Sequence, residues 1–313
     1  MIESLEILSP GPLTTVQDLG RYRFGRYGVP PSGALDSFSL RVANLLVGNP
    51  ETEAGLEITL MGLKVRVLTD VVVALCGGDL QPHLNEKPFD MWCSQIVRKG
   101  DTLFLKAPRT GCRAYLAVGG GISLVPVLAS KSTNLASRFG GYEGRALRKG
   151  DLLFSGAPDQ HLQRAGKMFK PEGRPSYTGD WVLRVLPGPQ DQDFPEESIR
   201  LFLDSSYTVS SQSDRTGLRL SGPALHRKKD LGGSIISEGI VPGAIQVPGD
   251  AQPIILLVET VTGGYRKIAT VISADLPLLG QVKPGERVRF LEVLMPEAMI
   301  ALQESENHIN MLK

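Results

Sequence analysis

Four stretches of this chain set charged and polar side chains among glycine and proline, away from any amphipathic helix face. The first runs Gly11-Pro12-Leu13-Thr14-Thr15-Val16-Gln17-Asp18-Leu19-Gly20-Arg21. The second runs from Val29 to Asp36 and continues through Arg41, Asn44 and Asn49 to Glu57. The third is Ser213-Asp214-Arg215-Thr216-Gly217-Leu218-Arg219-Leu220, and the fourth joins Ser237-Glu238-Gly239 to Ile245-Gln246-Val247-Pro248-Gly249-Asp250. Arginine forks bind carboxylate or phosphate through two parallel hydrogen bonds. A nearby acid such as Asp214, Glu238 or Asp250 can orient an amide or a nucleophile. On the functional reading these loops meet in one cleft. On the architectural reading Asp18 and Asp214 cap turns, while Arg21, Arg215 and Arg219 fix loop carbonyls.

Other chemistries lack their residues. There is no G-x-x-x-x-G-K-[ST], and neither Gly119-Gly120-Gly121 nor Gly140-Gly141 has dinucleotide-binding spacing. Neither G-x-S-x-G nor S-x-x-K occurs. The four histidines, His83, His161, His226 and His308, include no pair four residues apart, so no metal site is expected. No Ala-Met-Lys-Met-like stretch is present, so covalently carried biotin is not expected. Any catalysis would rest on Asp, Glu, Arg, Gln and backbone amides.

Composition sets further bounds. With 34 Lys and Arg against 33 Asp and Glu the net charge is +1, no footprint for nucleic acid or an acidic lipid surface. Glu3 and Glu6 stand where a signal peptide would carry Lys or Arg. The longest uncharged stretch, 114–130, is broken by three glycines and Pro126, so no membrane span is expected. The three cysteines, Cys76, Cys93 and Cys112, form no C-x-x-C, and Cys76 reads as a small core residue. The expectation is a cytoplasmic protein.

The elements that must position the clusters are short strands, because 35 glycines and 22 prolines leave few helix-length patterns. Three segments, 97–104, 147–154 and 282–290, share a polar corner with a glycine suited to positive φ, then an acid, then an alternating strand. Echoes between 72–80 and 270–276, and between 28–34 and 239–244, suggest two related β-rich halves. At 313 residues two domains are expected, 1–160 and 180–313, joined by a linker over 161–179. Helices are predicted from Leu35 to Leu46 with Asp36 in the first turn, after Pro195, and over Pro296–Gln303.

The clusters resemble the biotin-dependent carboxyltransferase-like family, also called allophanate hydrolase subunit 2. That family includes the C component of 5-oxoprolinase, the antagonist of the sporulation kinase inhibitor KipI, and half of the urea carboxylase carboxyltransferase domain. The resemblance rests on GPLTTVQDLGR (11–21), GVPPSGALD (28–36), RVANLLVGN (41–49), RAYLAVGGGI (113–122), SKSTN (130–134), SDRTGLRLSGP (213–223), ISEGIVPGAIQVPGDAQPI (236–254) and TGGYRKIATVISADLPLLGQVKPGERVRF (262–290), nearly end to end. It implies a mainly β fold of two cyclophilin-like β-barrel domains with a few short helices. It also implies a sister subunit of the KipI or allophanate hydrolase subunit 1 type, a lactam-utilisation subunit in the oxoprolinase, and ATP bound with the sister's help.

The activity implied is that of the C component of an ATP-dependent 5-oxoprolinase. The alternatives are a carboxyltransferase component of a urea carboxylase or allophanate system, and a non-catalytic regulator that sequesters a KipI-like inhibitor. Asp214, Arg215 and Asp250 are then the expected catalytic residues, and Arg21, Asp36, Glu238 and Gln246 the substrate contacts. One departure stands out: many relatives read Asp-x-Gln-Thr-[TV]-Gly-Gly-Tyr where this chain has Val258-Glu259-Thr260-Val261-Thr262-Gly263-Gly264-Tyr265. Thr216 also replaces a methionine common after the Asp-Arg pair.

Overall fold

A computed structural model describes all residues, 1–313. The chain divides into two compact units: 1–21 with 32–177 and 307–313, and 22–31 with 178–306.

The first unit is built on two open antiparallel sheets. One orders its strands Leu152–Ser155, Ile2–Pro10, Leu63–Val67, Thr102–Leu105, Pro82–Leu84 and Lys87–Pro88. The other orders Leu13–Gln17, Gly55–Thr59, Arg113–Val118, Val71–Gly77 and Ser94–Val97. Their apolar side chains share one core, with Leu5, Ile7, Val65 and Leu103 from the first sheet and Leu56, Ile58, Val73, Leu75 and Leu116 from the second. Leu63–Val67 alternates buried with exposed, as a strand with one wet face should. Val71–Gly77 and Arg113–Val118 are buried throughout, because the helix Ser37–Leu46 also packs on them. Cys76 lies within that buried run, as its sequence context predicts.

The second unit contains the closed barrel. Its strands run Asp180–Pro187, Arg266–Val271, Ala244–Val247, Ile254–Leu256, Gly217–Ser221, Tyr207–Val209 and Arg287–Glu292. Closure comes from a parallel ladder between Asp180–Pro187 and Arg287–Glu292, with Asp180 opposite Arg287 and Val185 opposite Glu292. Phe202, from the helix Glu196–Asp204, stacks on Phe290 at 4.3 Å between ring centroids. A two-stranded ribbon, Glu238–Gly239 with Thr262–Gly263, stands apart from the barrel ladder.

Only one barrel forms, which corrects the expectation of two cyclophilin-like barrels. In the first unit the outer strands of each sheet find no further ladder partner. One edge ends in the two-residue strand Lys87–Pro88, where proline lacks the N–H that a continuing ladder needs. Corner chemistry marks where strands turn. It does not report whether the last strand meets the first.

The three corners themselves have the same geometry. Gly100, Gly150 and Gly285 have φ of 95°, 90° and 86°. Asp101, Asp151 and Glu286 accept from the backbone N–H of Arg98, Arg148 and Lys283 at 2.7, 2.7 and 2.9 Å. The helix Ser37–Leu46 begins on Asp36, whose carboxylate accepts from Ser39 N at 2.9 Å. The C-terminal helix, Met295–Asn310, runs seven residues beyond its predicted end, since no Gly or Pro interrupts it and Ile309 is fully buried. No helix is long and apolar enough to cross a membrane.

Candidate functional site

In the second unit the polar side chains converge on Lys267. It sits on the barrel strand Arg266–Val271, opposite Gln246, where the register shifts by one residue and leaves Ile268 bulged. Bulges of this kind re-aim side chains and are common beside active sites. Lys267 is 5% exposed, and its ammonium donates to Oε1 of Glu238 on the ribbon. The same Glu238 oxygen accepts from Gln190 Nε2 at 2.8 Å, and Gln190 Oε1 accepts from the Lys267 backbone N–H at 3.1 Å. The lysine ammonium, then the Gln190 amide, hold the Glu238 carboxyl below its usual range. Gln246 is buried and donates from Nε2 to Tyr265 O at 3.2 Å.

Two glycines let the backbone close around this group. A Cβ at Gly188 would collide with Lys267 O, and one at Gly263 with the Gln246 amide nitrogen. Arg266, one residue before the lysine, donates from Nε to Asp193 Oδ2 at 2.6 Å and from Nη1 to Gly232 O at 2.6 Å. It pins the irregular segment leading to the ribbon. The cluster therefore offers one buried ammonium, two amide side chains and a partly exposed carboxylate.

Of the remaining residues singled out in this unit, Arg215 is buried and donates from Nε to Glu259 Oε1 at 2.7 Å. Asp214 is exposed and accepts from the N–H of Thr216 and Gly217 at 2.7 and 3.2 Å, a turn-capping arrangement. Asp250, also exposed, accepts from Gln252 N at 3.2 Å.

In the first unit Arg21 is 2% exposed. Its guanidinium donates to Val127 O at 3.3 Å and to Ser132 O, and lies 4.7 Å from the Phe139 ring centroid. Asp18 accepts from Gly20 N, Ser130 Oγ, Ser132 Oγ and Lys131 N, all within 2.7 Å. Together Arg21 and Asp18 fasten the 127–140 loop. Asp36 is fully buried; besides capping its helix it accepts from Tyr177 Oη at 2.9 Å. Its N–H donates to Tyr115 Oη, which in turn donates to Glu57 Oε2 at 2.8 Å. Burial, then the nearby Glu57 and Asp36 carboxylates, pushes the Tyr115 phenol well above its ordinary range, and burial with Asp36 does the same to Tyr177.

The glycine-rich segments do not form a phosphate cradle. A Cβ at Gly120 would strike Gly156 O, at Gly140 Ser132 O, and at Gly141 the Thr133 hydroxyl, so each packs on the protein itself. The ATP implied by the resemblance is expected to need the sister subunit, and these segments offer it no cradle of their own.

Glu259, Gln190 and Lys267 escaped the residue-level reading. The signal for Lys267 was a basic pair, Arg266-Lys267, opening an otherwise apolar strand. Glu259 lies within the segment that departs from the common pattern. Gln190, in a polar turn after Pro187, carried no signal.

The family described as carboxyltransferase domain, subdomain A and B, matches residues 27–292. The chain is 39% identical over 309 residues to the C component of 5-oxoprolinase from Escherichia coli (strain K12), covering 98% of this chain and 97% of that one. It is 36% identical over 325 residues to urea amidolyase of Lachancea kluyveri, covering 97% of this chain and 18% of the relative. The solved structure of K. lactis urea amidolyase superimposes with a TM-score of 0.93 at 33% identity, over 99% of this chain and 20% of that one. The chain thus spans about a fifth of these urea enzymes and nearly all of the oxoprolinase component.

Proposed function

The chain belongs to the carboxyltransferase-domain family, and from that premise we propose that it is one component of a heteromeric enzyme acting on the amide group of a small substrate. Two finer readings each have their own support. The carboxyltransferase match over 27–292, with the close fold of the urea enzyme, supports carboxyl transfer to a urea-like amide from carboxybiotin held on a separate carrier. The 97% coverage of the oxoprolinase C component supports a stand-alone subunit that works with a KipI-like sister, and with a lactam-utilisation subunit, to open 5-oxoproline. In that reading ATP is held with the sister's help.

Both readings ask the same of the protein. Phosphorylating an amide oxygen spreads negative charge over the phosphoryl oxygens, carboxylating an amide nitrogen places it on an oxygen of the carboxyl donor, and fixed donors around that oxygen lower either barrier. The observation that carries the site is the Lys267 cluster, where a buried ammonium and the Gln246 and Gln190 amides are held by barrel strand, ribbon and turn. Gln246 is the substrate contact we retain, and Glu238 occupies the mouth of the same cluster. We place Arg215, Arg21 and Asp36 as supports of the surrounding loops, and Asp214 and Asp250 as orienting residues on exposed turns.

The test is co-expression with the sister subunit and assay against 5-oxoproline, urea and allophanate, with and without avidin. Avidin-insensitive, 5-oxoproline-dependent ATP hydrolysis selects the oxoprolinase reading. Avidin-sensitive turnover of urea or allophanate selects carboxyl transfer. Tight binding of the sister with no turnover of any amide would overturn both in favour of a regulator.

A further inference from the structure

The ion pair between Lys267 and Glu238 is unequal. Lys267 is 5% exposed and fixed by its strand, whereas the Glu238 side chain is 43% exposed. Glu238 is carried on a two-residue strand that follows a long stretch without regular structure, in which Ile236 is 93% exposed. The backbone of that arm is held by Arg266 at Gly232 O, by Ile235 N to Gly264 O at 2.8 Å, by Ile240 N to Val261 O at 2.9 Å and by the ribbon pairing, which leaves the Glu238 side chain itself as the part free to turn outward. A buried ammonium must keep a negative partner, because leaving it uncompensated is costly. The carboxylate that now serves can return to water with little loss, since it is nearly half in water already.

We propose that Lys267 selects substrates bearing a carboxylate, and that Glu238 holds its place until such a substrate displaces it. This rests on the reading of the Lys267 cluster as the substrate site. The exchange conserves charge: one carboxylate leaves the ammonium as another arrives, and Glu238 swings outward on its ribbon. Gln190 Nε2, which now donates to Glu238, is positioned to donate to the incoming oxygen instead. A neutral amide cannot replace Glu238 without stranding the lysine, so it meets a site that is still plugged. The substrate class is therefore a small amide with an acid group next to it.

The experiment measures binding to the chain in complex with its sister by titration calorimetry, using matched pairs that differ only in charge. The pairs are 5-oxoproline with its neutral amide, and allophanate with biuret. Wild type is expected to favour the acid of at least one pair by about 30-fold, the scale of losing one partner from a desolvated charge pair. Glu238→Gln should tighten the acid several-fold, with the acid still the preferred member of its pair. Lys267→Met should reduce the preference to within about threefold, with Lys267→Arg recovering part of it. An acid preference that survives in Lys267→Met, or a Glu238→Gln variant that weakens acid binding, would overturn the assignment. Should Lys267→Met fail to fold, the sign of the Glu238→Gln effect on acid binding decides alone. If allophanate is the acid bound and turned over, the oxoproline substrate falls while the role of Lys267 stands. If 5-oxoproline is turned over without an acid preference, the role of Lys267 falls and the enzyme reading stands.

Discussion

The Nε of Arg215 donates to Oε1 of Glu259 across 2.7 Å, and each side chain is only 4% exposed. The pair joins the loop before the strand Gly217–Ser221 to the segment where this chain departs from its relatives' common pattern. Removing one member of a buried pair strands the other, at about 3–5 kcal/mol. Glu259→Ala is therefore expected to lower stability by that amount in chemical denaturation. The double replacement Arg215→Met with Glu259→Leu should recover much of the loss. A Glu259→Ala protein as stable as wild type would contradict the pairing.

Asp36 has no need of a ligand to explain its burial. It caps a helix and accepts from Ser39 Oγ and Tyr177 Oη. Asp36→Ala should cost about 1–3 kcal/mol from the lost cap and the unsatisfied phenol. Asp36→Asn should cost less. Substrate KM in the folded Asp36→Asn protein should stay near wild type, since the residue acts on the fold; a large KM increase at unchanged stability would give it a direct substrate contact.

Two of the corner glycines, set beside Gly140, provide a graded test of backbone strain. A Cβ at Gly150 or Gly285 meets nothing within 4 Å, so alanine there costs only the positive φ, about 1–2 kcal/mol. At Gly140 an added Cβ also collides with Ser132 O. Thermal melts should rank Gly140→Ala well below Gly150→Ala and Gly285→Ala. Equal melting points for all three would refute that ordering.

Tyr207 is fully buried, and its hydroxyl finds no hydrogen-bond partner in the protein. Burial pushes its pKa up to about 12 from an ordinary value of 10.0. The phenol stays neutral in the fold and ionises earlier in the unfolded chain. Its contribution is thus complete below pH 10.0 and is lost as pH rises through about 12. Tyr207→Phe should be neutral or stabilising at pH 7 by up to about 1 kcal/mol, and should flatten the alkaline fall in stability. A clear destabilisation at pH 7 would show that the hydroxyl is satisfied.

Local chemistry was the legible part of this fold. The acid after each corner glycine, the Asp36 cap and the starts of the helices depend on residues within four positions of one another, so the sequence displays them directly. The single barrel was not legible, because closure depends on which distant strand meets Asp180–Pro187. The proposed site was hidden for the same reason. Lys267 reaches Glu238 across 29 positions and Arg215 reaches Glu259 across 44, by strand register and ribbon pairing that no local pattern encodes. Residues chosen for their polar surroundings among Gly and Pro split accordingly. Glu238 and Gln246 gather around Lys267, while Arg21, Asp36 and Asp214 serve turns, loops and caps.

The measurement that tests the role of Lys267 most directly is kcat/KM for amide turnover by the assembled complex carrying Lys267→Met, beside the exposed-surface control Arg289→Gln. We expect Lys267→Met to fold and lose about 100-fold or more, as removal of one desolvated charged donor does, with the control within about twofold of wild type. A folded Lys267→Met complex turning over substrate at the wild-type rate would contradict that role.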